Sequence, residues 1–224
     1  MHAYSDLSHD MVMDAIESLG LLCDARVMAL NSYENRVFQV GIEDSEPLIA
    51  KFYRPNRWTD DSILEEHAFL AALKAEDIPV IAPLSINDKT LFHFGGFRFA
   101  LFPRRGGHAP ELSNDDDLEL IGRWMARLHN IGQTEAFSHR PVIRGSDDIR
   151  EAAEAVLRSG HLPDDYHEAY QSIIRDICAH TDQVSVSDYS SIRLHGDMHT
   201  GNLLLRDEDL YLVDFDDCNQ GPAM

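Results

Sequence analysis

The sequence predicts an α+β protein of two lobes, the first an antiparallel sheet with a helix, the second mostly helical. Three observations carry that expectation. Short apolar runs with period-two alternation crowd the first part of the chain. Longer stretches with helical periodicity follow them. Two apolar runs separated by a polar turn then read as a hairpin before the chain ends. With 224 residues and 44% hydrophobic content there is enough apolar material for one large domain or two small lobes around a cleft. Arg104-Arg105-Gly106-Gly107 is the most linker-like composition, so the expected boundary leaves residues 1–103 as the first lobe and 104–224 as the second.

Residues 9–18 carry Met11, Val12 and Ile16 at helical spacing, with Leu19 and a closing Gly20, and read as a packing helix. Residues 25–30 read as a strand. Asn31-Ser32-Tyr33-Glu34-Asn35 is turn-like and leads into a second strand. Residues 47–53 are a short strand with Lys51 embedded in it. Residues 60–74 read as a helix with acids at its positive N-terminus and with Ile63, Leu64, Phe69, Leu70 and Leu73 as apolar positions; Glu65 and Glu66 lie on it. Residues 80–86 and 90–93 are short strand candidates, and 96–103 alternates until Pro103 stops it. Residues 115–130 form a strongly amphipathic helix with Leu118, Ile121, Trp124, Met125 and Leu128 on one face, and His129 on it reads as a core or capping residue. Residues 148–157 and 163–181 are further helices, joined to what precedes by His139-Arg140-Pro141, a loop with no role assigned to it.

Composition removes several classes of function. Nineteen Lys and Arg stand against 39 Asp and Glu, a formal net charge of -20, which disfavours nucleic acid and anionic membrane surfaces and tolerates a cationic substrate. The three cysteines, Cys23, Cys178 and Cys218, are odd in number, scattered and without a C-x-x-C pair, as in a cytoplasmic protein without structural zinc. No signal peptide and no membrane span is expected.

The chemistry is concentrated in Leu194-His195-Gly196-Asp197-Met198-His199-Thr200-Gly201-Asn202 and in Tyr211-Leu212-Val213-Asp214-Phe215-Asp216-Asp217. An Asp followed five places later by an Asn has the spacing of H-R-D-x-x-x-x-N, the catalytic loop of kinases, with Gly196 in the place of Arg; Asp214 before Phe215 has the place of the D-F-G Asp. Phosphoryl transfer needs such residues. A magnesium ion takes oxygen ligands, few of them from protein, and Asn202 offers an amide oxygen while Asp214 offers a carboxylate. Asp197 faces the acceptor hydroxyl and takes its proton. The apolar runs at 203–205 and 210–213 make a hairpin that carries both metal ligands. Two other readings compete: Asp197 and Asp214 as ordinary turn residues, and His195, Asp197, His199 and Asp214 as a zinc or iron site for metal-assisted hydrolysis. The second leaves Asn202 and the features of the first lobe without a role. On the phosphoryl-transfer reading His195 holds the loop and His199 makes a local polar contact.

Those first-lobe features complete the picture. Lys51 on its strand resembles the V-A-I-K lysine that grips nucleotide phosphates, and one glutamate of the following helix, Glu66 in preference to Glu65, is expected to pair with it. Ser32 and the backbone amides around it are expected to cover the phosphates. The backbones of Leu101 and Phe102, in the strand before the linker, are the expected contacts for adenine.

Taken together, these segments resemble the aminoglycoside phosphotransferase and choline kinase superfamily, and within it the stress response kinase A family of Ser/Thr protein kinases. The resemblance is carried by Asn31-Ser32-Tyr33-Glu34-Asn35-Arg36-Val37, Lys51-Phe52-Tyr53-Arg54-Pro55, Ile63-Leu64-Glu65-Glu66-His67, Leu194-His195-Gly196-Asp197, Gly201-Asn202 and Val213-Asp214 with Asp216-Asp217. It implies a protein-kinase-like fold, ATP as phosphate donor and Mg2+ as cofactor, and action on protein Ser/Thr, including autophosphorylation, in the cytoplasm during stress. It implies catalytic roles for Asp197 and Asp214, magnesium at Asn202 and Asp214, and ATP at Ser32, Lys51 and Glu66. A small hydroxyl compound is the alternative acceptor, and a nucleotide-binding module without turnover the alternative to an enzyme. The resemblance also implies a helical section beyond the metal motif, so a shortened second lobe with uncovered apolar surface is expected; a monomer is expected, with association where that surface is exposed.

Overall fold

The alternation in the first part of the chain becomes a five-stranded sheet in the computed structural model, which describes residues 4–112, 115–184, 189–206 and 209–223. The strands are β1 (Cys23–Leu30), β2 (Arg36–Ile42), β3 (Leu48–Phe52), β4 (Phe92–Phe94) and β5 (Phe97–Pro103), in the order β1-β2-β3-β5-β4, every pair antiparallel. Helix α1 (His9–Glu17) is capped by the Ser8 side chain, which accepts from the Met11 amide. It buries Val12, Ala15 and Ile16 with Phe38, Val40, Ala50, Phe52, Phe97, Phe99 and Leu101 of the sheet. The other face of the sheet is polar in places and belongs to the site.

Helix α2 (Asp60–Ala75) starts at Thr59, whose hydroxyl accepts from the Ser62 amide, and it has Asp60 and Asp61 in its first turn. Ile63, Glu66, Leu70 and Leu73 recur at three- and four-residue steps and are all buried, so Glu66 rides the inward face and the half-buried Glu65 does not. Residues 80–86, expected as a strand, make only isolated bridges; Pro79 and Pro83 each lack the amide a ladder would need. Strands β7 (Leu203–Arg206) and β8 (Asp209–Leu212) form the expected hairpin, with Leu203 opposite Leu212.

By contacts the chain divides into two compact units, Met1–Leu128 with Gly196–Asp217, and His129–His195 with Cys218–Met224. The linker-like Arg104-Arg105-Gly106-Gly107 therefore lies inside the first unit and not at a division between units. Backbone pairing explains it: the Leu212 amide donates to the Pro79 carbonyl at 2.7 Å, and His108 and Leu205 exchange amide hydrogen bonds at 3.0 and 2.8 Å. These bonds fasten the hairpin to the segments on either side of β5. Helix α3 (Asp115–Gly132) runs through the division. Of its apolar stripe only Leu128 is fully buried, and Leu118 is 54% exposed.

The second unit holds helices α4 (Ser146–Arg158) and α5 (His167–Thr181) and a two-stranded antiparallel pair, β6 (Ser191–Leu194) with β9 (Asn219–Pro222). Ser146 and Arg150 of α4 both bond Asp182 at the end of α5. Gly132 sits against β6, where a Cβ would fall 2.3 Å from the Arg193 carbonyl oxygen, so only glycine fits. Arg140 is buried and donates to the Cys218 carbonyl at 2.9 Å, which makes the His139-Arg140-Pro141 loop a structural joint of this unit. Apolar side chains remain uncovered here, with Ile173 at 57% and Ile177 at 44% exposure on successive turns of α5. Among the described residues no helix is long and apolar enough to cross a membrane.

Candidate active site

Strand alternation sorts the central strands into two faces. On β3, Ala50 and Phe52 enter the core with α1, while Ile49 and Lys51 point to the opposite side and line a cavity of about 490 Å³. β5 obeys the same rule. Ala50 faces Leu101 and Ile49 faces Phe102 in the ladder, so Leu101 joins the core and Phe102 lines the cavity. This separates the two expected adenine contacts: the Leu101 carbonyl is also occupied, accepting from the Leu84 amide at 2.7 Å, and the lining continues instead through Phe102 and Pro103.

The hairpin delivers the rest. Gly196 has φ +87°, a left-handed conformation that a side chain such as the Arg of H-R-D would strain. The next residue, Asp197, lines the cavity wall. The His199 ring caps a single 3₁₀ turn, Thr200–Asn202, by accepting from the Gly201 amide at 2.9 Å through Nδ1, and its Nε2 lies 3.6 Å from an Asp197 oxygen. With Nδ1 committed to that cap, His199 is a local polar contact, and this weighs against the zinc or iron alternative. His195 is buried in the second unit. Asn202, itself buried, donates from Nδ2 to the Asp197 carbonyl at 2.8 Å and to its carboxylate at 3.3 Å. The Val213 amide donates to the Asn202 carbonyl at 3.0 Å, so Asp214 starts one residue from a bond that holds Asn202. Asp214 has φ +64°, a strained conformation for a residue with a Cβ, which here turns its half-exposed carboxylate back into the cavity.

Lys51 Nζ is the charge at the centre. It contacts Asp216 Oδ1, lies 3.6 Å from Glu66 Oε1 and 3.9 Å from Asp214 Oδ1. Burial alone would push this ammonium down, but Asp216 and Glu66 outweigh it and hold Lys51 well above its ordinary value. Burial pushes Asp214 up to about 6; Lys51 opposes that rise and Asp216 adds to it. Ser32, at the cavity wall, donates to the Asn35 carbonyl at 2.9 Å.

The structure thus gathers Ser32, Lys51, Glu66, Phe102, Asp197 and Asp214 around one cavity, with Asn202 bonded to Asp197 behind its wall. Sequence reasoning gave no role to Asn35, Arg57, Asp216 or Asp217, although all but Arg57 sit in the segments that carry the family resemblance. The donors suit a hard divalent cation. Asn202 commits its amide nitrogen to Asp197 and keeps its oxygen, Asp214 offers a carboxylate half open to the cavity, and three carboxylates surround a single ammonium, leaving negative charge in excess.

A family model described as "Phosphotransferase enzyme family" matches residues 26–224. The chain belongs to that family. It is a kinase by enzyme class. Stress response kinase A of Escherichia coli O157:H7 is 40% identical over 225 residues, covering 99% of this chain and 67% of the relative. Serine/threonine protein kinase RdoA of Salmonella typhimurium (strain LT2) is 37% identical over 221 residues, with the same coverage. Among solved structures, amicoumacin kinase hAmiN in complex with AMP-PNP, Ca2+ and Ami superposes with a TM-score of 0.78 at 19% identity, covering 99% of this chain and 68% of that one. Spectinomycin phosphotransferase APH(9)-Ia in complex with ADP and spectinomycin gives a TM-score of 0.68 at 13% identity, covering 95% and 70%. At these identities the likeness speaks to the fold, which is that of the protein-kinase-like phosphotransferases.

Proposed function

We propose that this phosphotransferase is an ATP- and magnesium-dependent Ser/Thr protein kinase that also phosphorylates itself. The observation that carries the reading is the placement of Asp197, Asn202 and Asp214 at the two ends of one hairpin, beside a buried Lys51 that pairs with Glu66. Asp197 accepts the proton of the acceptor hydroxyl as its oxygen bonds to the γ-phosphorus; the bond from phosphorus to the β–γ bridging oxygen breaks and ADP leaves. Lys51, held by its carboxylates, meets the nucleotide phosphates, while Ser32 and its loop cover them and the strand edge at Phe102 receives the base. Asn202 and Asp214 hold magnesium, which supplies positive charge against the phosphate oxygens. The named relatives at 37% and 40% identity support a protein acceptor, and the acidic chain suits a basic one.

The test is phosphate incorporation from labelled ATP with magnesium, offered to the chain itself, to a basic protein and to a panel of amino alcohols and aminoglycosides. Label on the proteins that falls about a thousandfold in Asp197→Ala, with ATP binding kept, is the expected result. Label on the small compounds alone would replace the protein acceptor by a small hydroxyl compound. Nucleotide bound without any transfer would leave a regulatory module.

A further inference from the structure

The side chain closest to Lys51 is not the helix α2 glutamate but Asp216, two residues beyond Asp214. Both of its oxygens are engaged and the side chain is buried: Oδ1 contacts Lys51 and Oδ2 accepts from Nδ2 of Asn35. Asn35 is 2% exposed and is engaged at both ends of its side-chain amide. Its side-chain oxygen accepts from the Arg54 amide at 2.9 Å, and its carbonyl accepts from Ser32. A continuous chain of contacts therefore runs from Lys51 through Asp216 and Asn35 to Ser32. Beside it runs a second tie. Arg57 bonds Glu34 of the same loop and Asp217 at 2.5 Å each. Two consecutive carboxylates thus fasten the loop between β1 and β2 to the segment that carries Asp214.

We propose that Asp216, through Asn35, is a positioning residue of the nucleotide site: it fixes the ammonium of Lys51 where phosphates arrive and holds the Ser32 loop closed above it. This rests on the nucleotide-binding reading given above. A paired, hydrogen-bonded cluster of this kind is costly to bury and fails when one member is changed, because the partner is left with its charge or its donor uncompensated.

The hydrogen-bond inventory supplies a sharp test. Asp216→Asn turns an amide nitrogen toward the Asn35 amide, donor against donor. Asn35→Asp sets two carboxylates against each other. The double variant Asn35→Asp with Asp216→Asn restores every bond: the new Asn oxygen accepts from Lys51, its nitrogen donates to the new Asp, and the other Asp oxygen accepts from the Arg54 amide. ATP affinity is measured by calorimetric titration with magnesium, and folding of each variant by circular dichroism. Each single change is expected to weaken ATP binding about tenfold and to raise KM for ATP more than it lowers kcat, while the swap recovers most of the loss. Wild-type affinity in Asp216→Asn, or a double variant whose losses simply add, overturns the proposal. Failure of the wild-type chain to bind ATP overturns the functional reading instead. Should the buried variants not fold, Asp217→Asn, at the half-exposed second tie, carries the test: an about threefold weaker affinity supports the proposal and unchanged binding overturns it.

Discussion

Charged side chains pair in both units, but in opposite surroundings. In the first, Lys51 and its partners Glu66 and Asp216 are almost wholly out of water. In the second, the arginines of α4 and Arg144, two residues before it, pair along the helix surface: Arg144 with Asp148 at 2.6 Å, Arg150 with Asp147 at 2.9 Å and Arg158 with Glu154 at 3.0 Å, all largely open to solvent. The distances alone would rank these pairs alike. Burial separates them. Solvent screens the surface pairs and leaves each member comfortable alone, whereas a buried charge deprived of its partner keeps its full desolvation penalty. Charge pairing therefore organises the site in the first unit and only decorates the helices of the second.

Three changes test that contrast. Lys51→Met has the largest expected effect: with Asp216 and Glu66 left buried beside each other, the unfolding free energy falls by about 3 kcal/mol, read from urea denaturation. Next comes Asp214→Asn in the ligand-free chain. The folded carboxyl titrates near 6 against an unfolded value near 3.8, so the stability that the proton confers is complete below the lower value and is lost as pH rises through the upper one. The variant has no such loss. Its melting temperature is expected to gain on the wild type between pH 4 and pH 7, by a modest amount because the side chain is half exposed. A difference that stays flat across that range would show that Asp214 is not held neutral. The smallest effect is expected at Arg158→Ala, whose urea midpoint should not move; a clear loss there would erase the distinction between the two units.

What was legible in the sequence follows the range of the interactions. The hairpin with Asp197, Asn202 and Asp214 is local, written in a five-residue spacing and two short apolar runs. Glu66 is separable from Glu65 because helical periodicity alone puts it in register with Ile63, Leu70 and Leu73. Leu101 is legible by alternation too, since it follows Phe97 and Phe99 at steps of two into the same core. Other features are not written locally. Asn35 and Asp216 are 181 positions apart, and neither neighbourhood shows a period that points to the other. The pairing of β6 with β9 is equally nonlocal, since Asn219–Pro222 carries no strand-like alternation and is extended because Ser191–Leu194 offers it a ladder. The linker-like Gly106-Gly107 signals a loop correctly, but a loop is a property of the backbone there, and a division between units depends on what the hairpin later bonds to.

The alternation of β3 has one more consequence. Lys51 and Phe52 are neighbours in the chain, and only the pleat assigns the first to the cavity and the second to an aromatic core. A slip of one residue against β2 and β5 would exchange them, putting an ammonium among Phe38 and Phe99 and a phenyl ring among the carboxylates of the cavity. Fidelity of strand alignment and competence for chemistry are thus one property in this protein, guarded from both sides because β3 is flanked by a partner on each edge.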